Sequence, residues 1–414
     1  MKKTLLLSVV ASTMIMAGGD IAPVEPVATT PVGEAATSDW KFNGQAVAFT
    51  QTVDQHGEGS LFDEESTYAA IGVQMTAVNK DIVAGIGAGL QVTGIHADTG
   101  DAEGFYGSGG DAGTTSGGIT QAYLTYGLGN TSLKVGRQEL PKSLSPFAFS
   151  EGWQMFKNTF DAALVVNTDV PDTTLVYAAV VNSNRSIGNY ADEDAFNKIN
   201  DNGDVVHMLT AQNKSIKGLT LTGTYYLAPE FTTEGDLSVI WGDAKFKISN
   251  YTLALQGGKV LAEDLAPDYK DTTAFGAKIG AKFGIFGACA AYSSVDEGTI
   301  GITNFGTGIK SPLYTQMVLN NVGQLHASDS DYLKLSASVE ALGGKFIANY
   351  GMALEKRDGA GNALADGENP TEIDLMYKTK IGNMKLFAAY ILTDPDKAGV
   401  DTNNFVRVWA RYSF

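Results

Sequence analysis

The chain ends with the stretch Asn404-Phe405-Val406-Arg407-Val408-Trp409-Ala410-Arg411-Tyr412-Ser413-Phe414. Counting back from Phe414, every second residue is apolar, and the set between them carries both arginines. Alternation over about ten residues matches a strand that crosses a bilayer, which needs about 9–11 residues. One side of such a strand contacts lipid and the other faces water. The end of the chain therefore predicts a membrane-spanning β-strand.

The first residues have the pattern of a secretory signal peptide. Lys2 and Lys3 precede an apolar run over residues 5–11, and Ala17-Gly18-Gly19 offers small residues for cleavage. The run is shorter than the about 20 residues that a membrane-spanning helix requires, so a retained anchor helix is the less favoured alternative. We therefore predict a signal peptide over residues 1–19 and an exported chain. Any membrane that it spans must be crossed by a closed barrel, because lipid cannot satisfy an open sheet edge.

The composition favours many short strands over helices. The 414 residues include 48 Gly and only 11 Pro, and Thr, Asn and Tyr are frequent. The single Cys289 excludes an intrachain disulfide framework. The net charge of −17 becomes −19 once Lys2 and Lys3 leave with the signal peptide. Because this field repels nucleic acid, we predict no nucleic-acid partner.

The layout of the chain predicts an all-β fold. Residues 20–39 contain three prolines and cannot build a core, so we interpret them as a flexible periplasmic leader before a barrel over residues 40–414. Tight turns, for example at Asn79-Lys80-Asp81 and Gly129-Asn130, alternate with longer loops, which is typical of an outer-membrane barrel. We predict a transmembrane antiparallel β-barrel of about 18 strands, wide enough for an aqueous channel. The alternative is a soluble array of β-sandwiches or a β-helix.

Residues that catalysis or metal binding needs are not grouped in the sequence. The four histidines lack metal-ligand spacing, and no serine lies in a nucleophile elbow. We therefore predict no catalytic residue, with a hydrolase built on a barrel as the alternative. Residues 200–204 faintly resemble a calcium loop, but the Gly is misplaced and the distal Glu is missing. We predict no cofactor and no metal site, with structural calcium in the acidic loops as the alternative.

Charged residues on the polar face of each predicted strand should point into the lumen. A charge that faces lipid costs about 2–4 kcal/mol at the middle of the bilayer, which favours the inward orientation. Such charges either set the field of the pore or pair with one another and stabilise the wall. The predicted inward set is Lys134, Asp161, Asp243, Lys245, Lys278, Lys334, Glu340, Asp374, Lys378, Arg407 and Arg411.

One predicted loop, residues 140–158, differs from the others because it is rich in aromatic residues and poor in Gly, Asn and Asp. A solvated loop has no use for these aromatic side chains, whereas a loop that folds into the barrel can pack them on the wall. We therefore predict that this third external loop folds inward and forms the constriction. An aromatic cluster at the outer rim, or a latch between subunits, is the alternative. The predicted constriction residues are Lys142, Phe147, Phe149, Glu151, Trp153 and Lys157.

Several short motifs resemble one family of porins. Gly136-Arg137-Gln138-Glu139-Leu140-Pro141, followed by Phe160-Asp161-Ala162-Ala163-Leu164, resembles the third-loop region of porins of the epsilonproteobacterial major outer membrane protein and OprD-like type. The resemblance implies an 18-stranded barrel, often trimeric, that is constricted by its third loop and sometimes by its seventh. It implies contact with outer-membrane lipid and lipopolysaccharide, and insertion by the barrel-assembly machinery through the strand that ends in Phe414. The dense arginine ladder of substrate-specific OprD-like channels is missing, which favours a general porin.

Together these features predict a passive diffusion channel for ions and small hydrophilic solutes in the bacterial outer membrane, assembled as a homotrimer. The alternatives are a substrate-selective OprD-like channel for small carboxylates and a surface adhesin or structural barrel protein. The acidic outer loops favour cations and the basic wall opposes them, so the sequence leaves the ion selectivity open.

Overall fold

The computed structural model describes residues 40–54, 60–99, 115–184, 196–200, 205–232, 235–262, 265, 269–319, 329–356, 369–396 and 401–414. The predicted signal peptide and leader lie outside this set, as do residues 201–204 of the calcium-like loop. The strands are β1 (Lys41–Asp54), β2 (Thr67–Val83), β3 (Ile86–Thr99), β4 (Thr115–Leu128), β5 (Thr131–Gln138), β6 (Phe160–Asn167), β7 (Thr173–Ser183), β8 (Asn197–Lys198), β9 (Val206–Asn213), β10 (Leu219–Ala228), β11 (Leu237–Ile248), β12 (Tyr251–Leu261), β13 (Thr272–Phe283), β14 (Phe286–Val295), β15 (Ser330–Ala341), β16 (Gly344–Lys356), β17 (Thr371–Ile381), β18 (Met384–Asp394) and β19 (Asn403–Ser413). A three-residue 3-10 helix, Glu64–Ser66, precedes β2. Within these residues, no helix has the length and apolar character needed to cross a membrane.

Eighteen of the strands form one closed antiparallel barrel, as predicted. Consecutive strands pair along the chain, β7 pairs with β9, and β1 closes the ring by pairing with β19. In the part of the chain that is described, the two-residue β8 pairs only with the end of β7. The terminal Phe414 completes the seam, because its backbone exchanges hydrogen bonds with Gly44 at 2.8 and 3.0 Å. The last strand therefore closes the barrel.

Short and long connections alternate around the barrel, so that one end carries short turns. We call it the short-turn end; it holds the connections at 84–85, 129–130, 168–172, 214–218, 249–250, 284–285, 342–343 and 382–383. The opposite end carries the long loops. We name the third, residues 139–159, L3, and the seventh, residues 296–329, L7, of which residues 296–319 and 329 are described.

The turn predicted at Asn79-Lys80-Asp81 is wrong. Strand β2 continues to Val83, and the chain reverses at Ala84 and Gly85, which both have positive φ values, 52° and 81°. Asn79 Oδ1 accepts a hydrogen bond from the Asp81 backbone N–H at 2.9 Å, and the β2–β3 register is irregular at this point. The polar cluster therefore makes a local bulge, because Asn side chains readily bond the backbone two residues on.

The two faces of the wall differ in polarity. Large apolar side chains alternate along the strands on the outer face, where Ile71, Met75 and Leu255 are 60%, 57% and 63% exposed. The inner face carries buried polar side chains such as Gln51 and Gln74. Apolar residues outside and polar residues inside are the pattern of a barrel whose outer wall contacts lipid.

Candidate channel interior

The strand register places nearly all of the predicted lumen charges on the inner face. Residues directly opposite in an antiparallel pair share a face, and these charges alternate with exposed apolar residues such as Leu133 or Val408. Ten predicted charges lie on the inner face, namely Lys134, Asp243, Lys245, Lys278, Lys334, Glu340, Asp374, Lys378, Arg407 and Arg411.

Asp161 is the exception, and its predicted inward orientation is wrong. It lies directly opposite Arg137 on the face of the exposed Val135, and it forms a 2.8 Å salt bridge with Arg137. The prediction assumed that the polar side of every strand faces the lumen. In β6 the inner face is instead the apolar set that includes Leu164 and Val166, because loop residues pack on it.

Phe147 of L3 packs on the inner faces of β10 and β11. Its side chain is fully buried, and its ring makes edge contacts with Tyr226 and Trp241 at centroid distances of 5.8 and 5.2 Å. Its backbone N–H donates to the Tyr226 hydroxyl at 3.1 Å. This end of L3 is therefore bound to the wall by an aromatic cluster and a hydrogen bond.

Trp153 of L3 packs on the opposite part of the wall. Its ring contacts Phe387 of β18 edge-on at 5.9 Å, and the Arg407 guanidinium of β19 stacks 4.0 Å from the ring centroid. Arg407 also donates to the Trp153 carbonyl at 2.6 Å and to Gln51 Oε1 at 3.1 Å. Since Arg407 is fully buried in these contacts, it binds L3 and is not exposed inside the barrel.

The end of L3 reaches a third part of the wall. Met155 and Phe156 are buried among inner-face residues of β1 to β3, including Val47 and Phe49. A Cβ on Gly72 of β2 would lie 2.6 Å from both the Met155 sulfur and the Phe156 ring, so the loop can lie this close to β2 only because residue 72 is glycine. L3 therefore contacts inner-face residues on three separate parts of the barrel.

The charged residues of L3 have different environments. Lys142 is half-buried, with its Nζ 4.8 Å above the Phe149 ring and donating to the Ser311 carbonyl of L7 at 2.8 Å. Phe149 itself is buried, and its backbone bonds the Asn304 side chain of L7. Lys157 pairs with Glu139 at 2.8 Å and keeps a quarter of its side chain exposed. Lys142 and the paired Lys157 and Glu139 are therefore the L3 charges that remain accessible from inside the barrel.

Glu151 was predicted to lie at the constriction and supply a negative charge there, but its carboxylate is not free to face the lumen. It is 5% exposed, and its Oε1 accepts hydrogen bonds from Asn304 Nδ2 at 2.8 Å, Thr307 Oγ1 at 2.5 Å and the Lys310 backbone N–H at 3.2 Å. All three donors belong to L7. The Glu151 carboxylate therefore connects L3 to L7 through hydrogen bonds.

L7 entered the sequence analysis only as an alternative that the family resemblance implies, and none of its residues was named as a site residue. Its buried residues Leu313, Met317 and Val318 pack on inner-face clusters of the wall. A Cβ on Gly351 of β16 would lie 2.6 Å from the Met317 side chain, so glycine provides the space for this loop as it does for L3. Residues 302–319 are rich in apolar residues inside a predicted loop, a signal related to the aromatic content that identified residues 140–158.

Cationic side chains bind the backbone of L7. Lys334 of β15 donates to the Gln316 carbonyl at 2.5 Å, and Lys310 donates to the Met317 carbonyl at 3.5 Å and to that of Val318. Burial lowers the pKa of Lys310, although the Glu151 carboxylate opposes this shift. These buried lysines hold the loop rather than offering charge to a solute.

A tyrosine anchors L7 on the other side of the lumen. The Tyr314 hydroxyl donates to Asp243 of β11, which also pairs with Lys245 at 3.2 Å. Burial raises the pKa of the Tyr314 phenol, and the Asp243 carboxylate raises it further. Lys278 lies 4.8 Å from the Tyr314 ring centroid. Asp243 is therefore neutralised by its neighbours.

Cations stand directly opposite one another on the inner face near the short-turn end. Lys345 faces Lys378, and Lys380, Lys385 and Arg411 form a continuous row across β17, β18 and β19. We call these five residues the basic rows. Like charges that face each other across strands destabilise a sheet, and together they give this part of the inner face a positive potential.

Among the described residues, no group of three or more His, Cys, Asp or Glu is placed to hold a metal ion. Of the calcium-like stretch only Asn200 is described, and its side chain donates to the Pro229 carbonyl at 2.6 Å.

No known sequence family and no curated protein matches the chain. Solved structures from Pseudomonas aeruginosa do: OccK8 (OprE) is 13% identical, with a TM-score of 0.69 over 92% of this chain and 99% of that one. OpdK with vanillate, 13% identical, and OccK9 (OpdG), 15% identical, give TM-scores of 0.71 and 0.70, each over 92% of this chain and all of theirs. These structures are outer-membrane porins. The chain has their fold. Its resemblance to the epsilonproteobacterial proteins stays a prediction.

Proposed function

We propose that the protein is an outer-membrane porin through which ions and small hydrophilic solutes diffuse passively. The observation that carries the proposal is the closed 18-strand barrel with an apolar outer face and a charged inner face. A barrel of about 16–18 strands encloses an aqueous channel unless loops fill it. The fold shared with outer-membrane porins supports the same function and location.

We propose that L3 and L7 together form the constriction. L3 contacts inner-face residues on three parts of the wall, and Glu151 joins it to L7. Lys142 at the junction of the two loops is half-buried, so its charge acts through a medium that screens it less than open water does. Solutes would pass beside this pair of loops, where Lys142 and the paired Lys157 and Glu139 supply the accessible charges.

The charge distribution supports a preference for anions. Arg407, Lys310 and Lys334 are buried and bound to loop carbonyls, while Lys380 and Lys385 of the basic rows are exposed. The field that a solute meets on the inner face is therefore dominated by cations. The positive potential of the inner face outweighs the negative potential of the acidic outer loops, because exposed charges more than about 8–10 Å away are largely screened at physiological salt.

Selectivity for small carboxylates is the second candidate. The basic rows would attract a carboxylate, and vanillate, which is present in the similar OpdK structure, belongs to this class. A selective channel should be inhibited by a carboxylate at concentrations that leave a general pore open.

Planar-bilayer recording of the folded protein tests both candidates. We expect stepwise conductance. In a KCl gradient we expect the reversal potential to be displaced from zero toward the equilibrium potential of chloride. Benzoate added at millimolar concentration should reduce the chloride current of a carboxylate-selective channel and leave a general porin unaffected. Folded protein without conductance steps would contradict the proposal, and cell attachment without conductance would favour the adhesin. The homotrimer stays a prediction, and only monomers in mass photometry would oppose it.

A further inference from the structure

We propose that anions pass along the inner faces of β4 and β5, and that Glu139 at the start of L3 determines how long they stay there. This role rests on the proposed porin function, and it assigns the control of anion release to one residue. Three observations support it: the part of the wall that the loops leave uncovered, the cations around Glu139, and the weak pairing of Glu139 with Lys157.

The described parts of L3 and L7 leave the middle of β4 and β5 uncovered. L3 packs on β6 to β11, on β18 and on β1 to β3. L7 packs on β11 to β17. On β4 and β5, by contrast, Tyr123 and Lys134 are half-buried on the inner face, and the Lys134 Nζ lies 3.8 Å from the Tyr123 ring centroid. A solute that passes the two loops therefore finds room beside this part of the wall.

Three cations surround the Glu139 carboxylate at the edge of this space. Lys157, near the end of L3, pairs with it at 2.8 Å. Lys134 of β5 and Arg411 of β19 lie close enough to interact with it electrostatically. Arg411 is also bound to L3, because it donates to the Met155 carbonyl at 2.7 Å. Glu139 therefore neutralises part of the positive charge that an anion meets here.

The pair between Glu139 and Lys157 is able to open. The two side chains are 35% and 25% exposed, and ion pairs in contact with water are individually weak. A passing anion can replace the Glu139 carboxylate as the partner of the Lys157 ammonium, and the carboxylate can return when the anion moves on. Conduction requires a site that binds weakly enough to release its ion. By competing for Lys157, Glu139 keeps the binding of anions weak.

Bilayer recording of Glu139→Gln tests this role. Glutamine keeps the size of the side chain but removes its charge, so anions no longer compete with a carboxylate for Lys157. We expect the single-channel conductance to saturate at a chloride concentration about two- to fivefold lower, the factor that corresponds to one partly exposed ion pair. In a KCl gradient, the reversal potential should move further toward the equilibrium potential of chloride.

Asp161→Asn is the matched control. It also neutralises a carboxylate that is paired with a cation at 2.8 Å, and the Asp161 side chain is 27% exposed, but it lies on the outer face. We expect its conductance to saturate at the same chloride concentration as that of the unmodified protein.

The variant Lys157→Gln tests whether Glu139 acts through Lys157. Without the Lys157 ammonium, Glu139 has lost the partner for which it competes with anions. Adding Glu139→Gln should therefore change the saturating chloride concentration by less than it does in the unmodified background. If Glu139 only maintained the shape of L3, the change would be the same in both backgrounds.

Two results would overturn the role of Glu139: conductance of Glu139→Gln that saturates as in the unmodified protein, and equal changes with and without Lys157. An Asp161→Asn variant that changes as much as Glu139→Gln would also overturn it, because the effect would then not depend on the inner face. Absence of conductance steps in the unmodified protein would instead refute the porin function, and this role with it.

Discussion

Replacement of Glu151 by alanine should weaken the attachment of L7 to L3. In the folded protein, the Glu151 carboxylate is buried and accepts hydrogen bonds from the Asn304 side chain, the Thr307 hydroxyl and the Lys310 backbone. Alanine would leave these three donors without their acceptor. Each unsatisfied buried donor costs about 1–3 kcal/mol. Because the donors relax together, we expect a total of about 3–5 kcal/mol, the range for breaking one partner of a buried charged network.

This free energy should appear as local opening rather than as loss of the barrel. The strands keep their closed hydrogen-bonded ladder in the variant, whereas residues 302–311 keep only their other contacts with L3, such as the hydrogen bonds between Asn304 and the Phe149 backbone. At 1.4 kcal/mol per factor of ten, the open population of this segment should rise by about 10²- to 4 × 10³-fold. Hydrogen exchange measured by mass spectrometry on protein in detergent should detect this rise in residues 302–311, with the strands unchanged.

Glu139→Ala is the matched control, because it also removes a carboxylate from L3 that is paired with a lysine at 2.8 Å. The Glu139 side chain is 35% exposed, so its pair should contribute at most about 1 kcal/mol. We expect exchange in residues 302–311 of this variant to match that of the unmodified protein. If Glu151→Ala exchanges no faster than Glu139→Ala there, the hydrogen bonds to Glu151 do not hold L7 and the reasoning is refuted.

Three further predictions concern ion flow. Arg407→Gln removes the guanidinium that binds the Trp153 carbonyl, so L3 loses an attachment to the wall. We expect more open-channel noise in bilayer recordings of this variant. An unaltered noise spectrum would count against this role of Arg407. Lys142→Glu should move the reversal potential in a KCl gradient toward cations, and Lys214→Glu at an exposed turn should leave it in place; equal shifts would mean that L3 is not the constriction. Asp161→Asn should not change the reversal potential, because this carboxylate lies on the outer face; a shift as large as that of Lys142→Glu would contradict the register argument.

The sequence predicted part of the loop packing but not the contacts between the loops. The aromatic content of residues 140–158 predicted that Phe147 and Trp153 pack on the wall, and both are buried there. The role of Glu151 was not predictable, because its partner Asn304 lies 153 residues away in the chain. Whether a charged side chain is exposed or buried depends on which distant segment covers it. Local composition does not indicate which segment that will be.

The strands by themselves determined the architecture of this protein. The side chains of a strand alternate with a period of two, so the order of apolar and polar residues decides which face of β19 carries Arg407 and Arg411 before any partner is known. Strands that lie in a membrane must also close into a barrel, because an open edge cannot lie in lipid. Only the tertiary structure decided which residues of the inner face are exposed and which are bound to loops. It turned Asp161 outward because L3 and L7 require an apolar surface on β6, and it buried Arg407 as a ligand of a loop carbonyl. These outcomes depend on contacts between segments far apart in sequence, whose free energies compete only once the barrel has closed.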